Sequence, residues 1–303
     1  MALYIIGDFL KETRQRKGYT QEEVSFGICT TASLSRIENG VQTPSRYMLD
    51  KLLERLGMEN SIFNIFVNKG EMEFYEAMQT MSRNITDGDM VELEKQIERL
   101  GELLDDSTEL ERQYWFWAKG VLLREQGGST EEVMNLLMRA IKITLPTFDG
   151  MTPLKNNLLT FDEIIIINSI AIVYAKEGKM TEAMKLGYWL MNYMEERIID
   201  GKMKMKKYPA IVFDLSNWLG KTGRFQDALE VADKGIDYCI KFGNLVALPL
   251  LLFNKACSLA ELNDKEQAKE YFTQSIVIFQ AMKKHDKAQK AIDWCKNHYH
   301  IEF

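Results

Sequence analysis

Histidine is nearly missing from this chain. Three histidines among 303 residues leave little material for general-base or metal chemistry. The one local grouping is Cys295, His298 and His300 in the stretch WCKNHYH. It lacks a fourth ligand at helical or finger spacing, so neither a metal nor another cofactor is expected. Cysteine is as sparse: Cys29, Cys239, Cys257 and Cys295 lie scattered without paired spacing and read as buried reduced thiols. A glycine-rich phosphate loop, a serine nucleophile elbow and an H-E-x-x-H helix are also missing, so an enzyme is not expected. With only 5 prolines, and without sustained β-branched alternation between regular turn signals, the chain reads as all-α.

Long apolar runs are missing too. The richest stretch, EIIIINSIAIVYAKEG, is interrupted by Asn168 and Ser169 and is too short to cross a bilayer. The opening MALYIIGDFLKETRQRKG has no basic start, continuous apolar core or small-residue cleavage site, so it is not expected to be a signal peptide. A cytoplasmic location with no membrane partner is therefore expected. Residues 1–66 hold 8 basic and 8 acidic side chains, so the net charge of −6 falls on the remaining 237 residues. What is present is 46% hydrophobic and 27% charged residues, enough to bury a core, at a length that predicts a small domain followed by a larger one.

The small domain is legible over residues 1–66. Ile6, Phe9, Leu10 and Thr13 share one helical face, and Gly18 ends that helix. Thr20 with Glu23 three residues later forms a capping box for a second helix, and Gly27 permits a sharp turn. Thr30 then caps a third helix that turns Leu34 and Ile37 inward and Thr31, Ala32, Ser33, Ser35 and Arg36 outward, until Gly40 closes it. A further amphipathic helix in SRYMLDKLLERLG brings Met48, Leu49, Leu52, Leu53 and Leu56 to the bundle. Across TQEEV, the turn, LSRIENG and the following proline, this arrangement resembles the repressor-type (Cro, or XRE) helix-turn-helix family. The resemblance implies double-stranded DNA as a partner. It assigns Gln21 to a phosphate, the first turn of the third helix (Thr31, Ala32, Ser33) to base edges, and a structural ion pair to Arg14 and Glu38. Ser35 and Arg36 on the same outward face, Asn39 at the ENG corner, and Arg46 complete the expected DNA-binding set.

Residues 67–303 repeat themselves. Gly178, Gly223 and Asn263 form one column, Ala183, Ala228 and Ala268 lie five residues later, and Ala171, Ser216 and Ala256 seven before. Small residues at those spacings let antiparallel helices approach closely at a short turn, and the pattern resembles tetratricopeptide (TPR) repeats. The stretch YWFWAKGVLLREQGGSTEEVMNLLMRAI is read as another copy, with a one-residue ambiguity at Gly127 and Gly128. About five helix pairs are expected by this logic, forming a right-handed α-superhelix with a capping helix near 285–298. TPR geometry turns the first helix of each pair toward a concave groove, which implies Trp117, Arg124, Ile165, Asn168, Ile172, Phe213, Asn217 and Phe253 as its lining. That lining is apolar with isolated amides, and Arg124 is its sole charge. An Asn amide can serve both the C=O and the N–H of an extended peptide. Asn254 is included, although TPR motifs often carry an Asn there for helix packing.

The whole chain resembles the peptide-pheromone-responsive transcription regulators of the Rgg, PlcR and PrgX group. What this implies is a homodimer whose repeats bind a short, hydrophobic signalling peptide and whose paired helix-turn-helix domains bind an inverted-repeat operator. Two other readings stay open: a ligand-independent dimeric repressor, and a repeat domain that docks another protein.

Overall fold

The computed structural model describes residues 2–58, 69–87, 89–104, 109–151, 158–197, 199 and 201–303. Every regular element among them is a helix. They fall into two compact units, one running from Met1 to Glu177 and the other comprising Gly178–Arg197 and Gly201–Phe303. The expected boundary at 66/67 lies outside the described residues.

Four helices open the first unit: α1 (Ala2–Arg16), α2 (Gln21–Ser25), α3 (Thr31–Glu38) and α4 (Arg46–Arg55). Their starts follow the side-chain caps. The Glu23 amide donates to Thr20 Oγ1 at 3.1 Å, the Ser33 amide to Thr30 Oγ1 at 3.1 Å, and the Met48 amide to Ser45 Oγ at 3.2 Å. Each bond satisfies one of the donors that a helix start leaves orphaned. Leu10, Val24, Leu34, Ile37, Leu52 and Leu53 are buried as the core of this bundle. Phe9 and Met48, read as core, are only half-buried. Gly7 is needed because α1 rides directly on α3: a β-carbon there would stand 2.4 Å from the Ile37 carbonyl oxygen.

The same unit continues with the hairpins α5 (Lys69–Asp87) with α6 (Met90–Leu103) and α7 (Glu109–Glu125) with α8 (Thr130–Thr144), then α9 (Phe161–Lys176). Gln113 ties α7 to α8 by donating to the Ala140 carbonyl at 3.1 Å and to Thr144 Oγ1 at 2.6 Å. The Trp115 indole ties α7 to α6 through the Ile97 carbonyl at 2.9 Å.

Buried ions join α4 to the start of α9. Arg55 meets Glu163 at 2.7 Å with both side chains 0% exposed, and Lys51 reaches Glu54 at 3.1 Å and Asp162 at 2.8 Å. The Phe161 amide donates to Glu54 at 2.9 Å, and the Tyr47 hydroxyl donates to Asp162. Burial alone lowers the Lys51 ammonium, but Asp162 and Glu54 outweigh it and hold the group above its usual value. Charges removed from water cost several kcal/mol each unless paired this closely, so the network has to form as a set. Gly27 approaches the end of α8: with φ of 68°, a β-carbon would lie 2.2 Å from the Thr144 carbonyl oxygen.

The second unit holds α10 (Met180–Glu196), α11 (Gly201–Lys221), α12 (Phe225–Phe242), α13 (Leu248–Glu261), α14 (Lys265–Ala281) and α15 (His285–Tyr299). The ten helices α5 to α14 follow one another in the chain where about five pairs were expected, and α15 falls within a residue of the predicted cap. The repeat columns have a physical meaning here. Gly178, Gly223 and Asn263 all take left-handed backbone at the turn, with φ of 79°, 77° and 66°, while Ala183, Ala228 and Ala268 are fully buried. Gly127, not Gly128, takes that conformation, with φ of 80°, which removes the ambiguity.

Pro209 sits inside α11 and cannot donate to the Met205 carbonyl one turn earlier. Asn244 replaces the missing donor, its Nδ2 lying 3.1 Å from that oxygen. Its Oδ1 receives the Val246 and Ala247 amides, each at 3.2 Å, and so shapes the entry to α13. Cys295 and Ile301 pack against Ala256, Leu259 and Phe272, and Ala288 and Ala291 against Ile276 and Phe279, so α15 seals the apolar end of the stack.

Candidate functional site

The joint between α2 and α3 is organised around one buried carboxylate. Glu38, 2% exposed, receives Arg14 in a two-pronged pair at 2.7 and 2.9 Å and the Gln21 amide at 2.8 Å. The expected Arg14–Glu38 pair is therefore present, and the hydrogen bond to Glu38 holds the guanidinium further above its already high value. It fixes α1, α2 and α3 at one angle. Gln21 is half-buried and has one N–H engaged with Glu38, which leaves its second N–H to donate to a phosphate oxygen.

On α3, Thr31, Ala32 and Arg36 are exposed, Ser33 and Ser35 are half-buried, and Asn39 is exposed at the helix end. Among the described residues the Arg36 guanidinium hydrogen-bonds only Ser33 Oγ, at 3.5 Å, so it can reach outward. Arg46 departs from expectation. It is 2% exposed, pairs with Asp50 at 3.1 Å and lies over the Tyr75 ring, so it belongs to the interior of the unit and not to an outward DNA face. Sequence periodicity alone could not separate the two, since Arg36 and Arg46 both sit beside helix termini.

In the second unit, α11 and α13 bring Asn217 and Phe253, both at the repeat positions assigned to the groove, together with Asn254. With Trp294 they line both of two adjoining cavities of about 390 and 280 Å³. Phe213 borders the smaller one. Asn254 donates to the Phe213 carbonyl at 3.1 Å and to Ser216 Oγ at 2.8 Å, so its amide holds the two helices at a fixed separation. Asn217 is half-buried at the mouth shared by the cavities. Cys257 also borders the larger cavity, but burial pushes its thiol up to about 12, leaving it protonated and a poor nucleophile.

One wall was not legible from repeat positions. Trp294, Lys287 and Lys290 come from α15, which has the role of a cap in the repeat pattern, and Lys221 and Glu261 add charge beside the larger cavity. The expectation of an uncharged lining in these repeats is therefore corrected, because a capping helix turns its polar side outward along the rim. The available signal in the sequence was Trp294, and the structure leaves that side chain 46% exposed on α15.

The remaining groove candidates lie in the first unit. Ile165 and Ile172 are half-buried on α9, and Arg124 on α7 pairs with Glu125 at 2.8 Å. Asn168 is 8% exposed. Trp117 is 9% exposed and its indole donates to Ser169 at 3.0 Å, which places most of the ring in the α7–α9 interface.

A helix-turn-helix bundle joined to TPR-like helical repeats defines the class of this protein. The helix-turn-helix family model matches residues 10–59, and the model of the RNPP family C-terminal domain matches residues 151–300. The chain belongs to the RNPP family of helix-turn-helix regulators. No sequence among curated proteins matches it significantly. Among solved structures it is similar to PlcR of Bacillus thuringiensis in complex with the peptide PapR7 and DNA. That match has a TM-score of 0.65 and 16% identity over 95% of this chain and 98% of the other. It is similar also to apo PlcR (TM-score 0.60, 14% identity, 96% and 98% covered). Apo ComR, the competence regulator from Streptococcus vestibularis, matches with a TM-score of 0.54 at 15% identity, 98% and 99% covered. At these identities the similarity concerns the fold.

Proposed function

We propose that this protein is a cytoplasmic transcription regulator whose α2–α3 face binds an inverted-repeat DNA operator as a homodimer. The concave side of its repeats takes a short, largely apolar peptide that alters operator binding. The observation that carries the reading is the pair of adjoining cavities centred on Asn217 and Phe253 in a chain whose first helices form a helix-turn-helix. Apolar peptide side chains entering those cavities gain roughly 25 cal/mol for each Å² removed from water. An extended backbone needs partners for its own N–H and C=O, and Asn217 offers both. On the DNA side, Thr31, Ala32, Ser33 and Arg36 stand where base edges would lie, with Gln21 toward a phosphate. Two recognition helices place half-sites about 10 base pairs apart centre to centre, or a multiple of that. A peptide shifts operator affinity only as far as it prefers one arrangement of the dimer over another.

The test couples two measurements. A genomic-fragment selection should return a dyad-symmetric site, and a small peptide encoded beside the regulator's own gene should bind by calorimetry and change that site's affinity. Asn217→Ala should weaken the peptide by on the order of 1 kcal/mol while leaving operator binding by the apo protein unchanged. Equal peptide affinity for the wild type and an Asn217→Ala, Phe253→Ala double variant would refute the assigned groove.

A further inference from the structure

The smaller cavity has an uneven chemistry. Its walls are apolar: Phe213, Leu250, Phe253, Phe279 and Trp294 supply most of the surface. The two charges that line it, Lys287 and Lys290, have the same sign, and no carboxylate joins them. Both lysines are exposed, one turn apart on α15, and among the described residues neither enters an ion pair. Of the neighbouring acids, Asp293 accepts from Gln289 at 2.9 Å, Glu261, beside the larger cavity, accepts from Tyr299 at 3.2 Å, and Asp286, next to Lys287 on α15, is not part of the cavity lining. In a chain of net charge −6, a ligand cavity bordered by two cations and no anion is a local reversal of sign. Low-dielectric walls next to a charged rim strengthen its attraction for an opposite charge.

We propose that the ligand of this groove carries a carboxylate that seats between Lys287 and Lys290, next to an apolar side chain held by Phe213 and Phe253. This deepens the peptide-binding reading and rests on it. The carboxylate belongs either to the peptide's C-terminus or to an Asp or Glu side chain. Lysines suit this role because each is a flexible point charge that follows a carboxylate without demanding a fixed fork geometry. Asn217, shared by both cavities, then fixes the backbone beside the charged end and sets the direction in which the chain lies. A peptide entering in reverse would bring its ammonium to the lysines, so the pair also selects orientation.

The full-length protein tests this with two randomised heptapeptide libraries, one with free carboxyl termini and one amidated, retained peptides being sequenced by mass spectrometry. The wild type should enrich carboxylate-bearing peptides at least tenfold at one end of the bound register. Loss of retention on amidation assigns the terminal carboxylate, and retention of amidated peptides rich in Asp or Glu assigns a side chain. A Lys287→Glu, Lys290→Glu variant should keep the apolar preferences and lose the carboxylate enrichment tenfold or more, whereas Lys287→Arg, Lys290→Arg should keep it. Both positions are exposed, so the variants should fold, and an unchanged Tm checks this. The same carboxylate enrichment in the charge-reversed variant overturns this inference alone. Retention of no peptide by the wild type overturns it together with the peptide-binding reading.

Discussion

Replacing Arg55 by Met tests how the DNA-binding bundle is held to the repeats. Arg55 and Glu163 are both 0% exposed and meet at 2.7 Å, and Arg55 further donates to the Glu23 carbonyl at 3.4 Å. Removing the guanidinium leaves Glu163 charged inside the unit, with the Thr160 amide at 2.6 Å as its remaining donor in the capping box. Losing one partner of a buried pair costs roughly 3 to 5 kcal/mol, because the other charge stays desolvated. A second change, Glu163→Gln, keeps an acceptor for the Thr160 amide and removes that charge, so the Arg55→Met, Glu163→Gln double variant should regain at least half of the loss. Repeat chains need not unfold in one step, so the readout is native-state hydrogen exchange at the amides of α4 and α9. The single variant should exchange on the order of 100-fold faster or more there, at 1.4 kcal/mol per tenfold. A loss below about 1 kcal/mol, or two single losses that add without recovery in the double variant, would show that the pair is not acting as a coupled buried unit.

Three further outcomes follow from particular contacts. Asn244→Ala leaves the Met205 carbonyl, which Pro209 cannot serve, and two loop amides without their partner; a loss of about 1 to 3 kcal/mol should appear as a lower Tm, and an unchanged Tm would count against the helix-repair role. Burial raises the Asp50 carboxyl from 3.8 to about 7 against the opposing pull of Arg46, so the folded state binds this proton more tightly than the unfolded chain. Its contribution is present in acid and lost as pH rises through that window; Asp50→Asn should therefore reduce the fall in unfolding free energy between pH 5 and pH 8, read by urea titration, by about 1 kcal/mol or more. Arg36→Ala should cost roughly 1 to 3 kcal/mol at one base pair of the selected operator, and competition with single-base variants of that site would expose any failure of the assignment.

Local chemistry determined much of this protein before any tertiary contact existed. Capping residues such as Thr20, Thr30 and Ser45 act within a single helical turn, so their positions in the sequence specify where α2, α3 and α4 begin. The columns of Gly178, Gly223 and Asn263, and of Ala183, Ala228 and Ala268, are local for the same reason: each serves the turn or close approach of adjacent helices. Asn217 and Phe253 were legible because a repeat presents the same face at the same offset. Tertiary structure alone decided the fate of individual charges. Arg36 and Arg46 look equivalent in sequence, yet the first reaches solvent and the second lies buried against Asp50 and Tyr75. Likewise, nothing in the spacing of Arg55 and Glu163, or in the capping role of α15, announces a buried pair across 108 residues or two lysines beside an apolar cavity. Helix propensity and capping act over a few residues, whereas burial depends on which distant surface arrives to exclude water, and that is settled only when the helices pack.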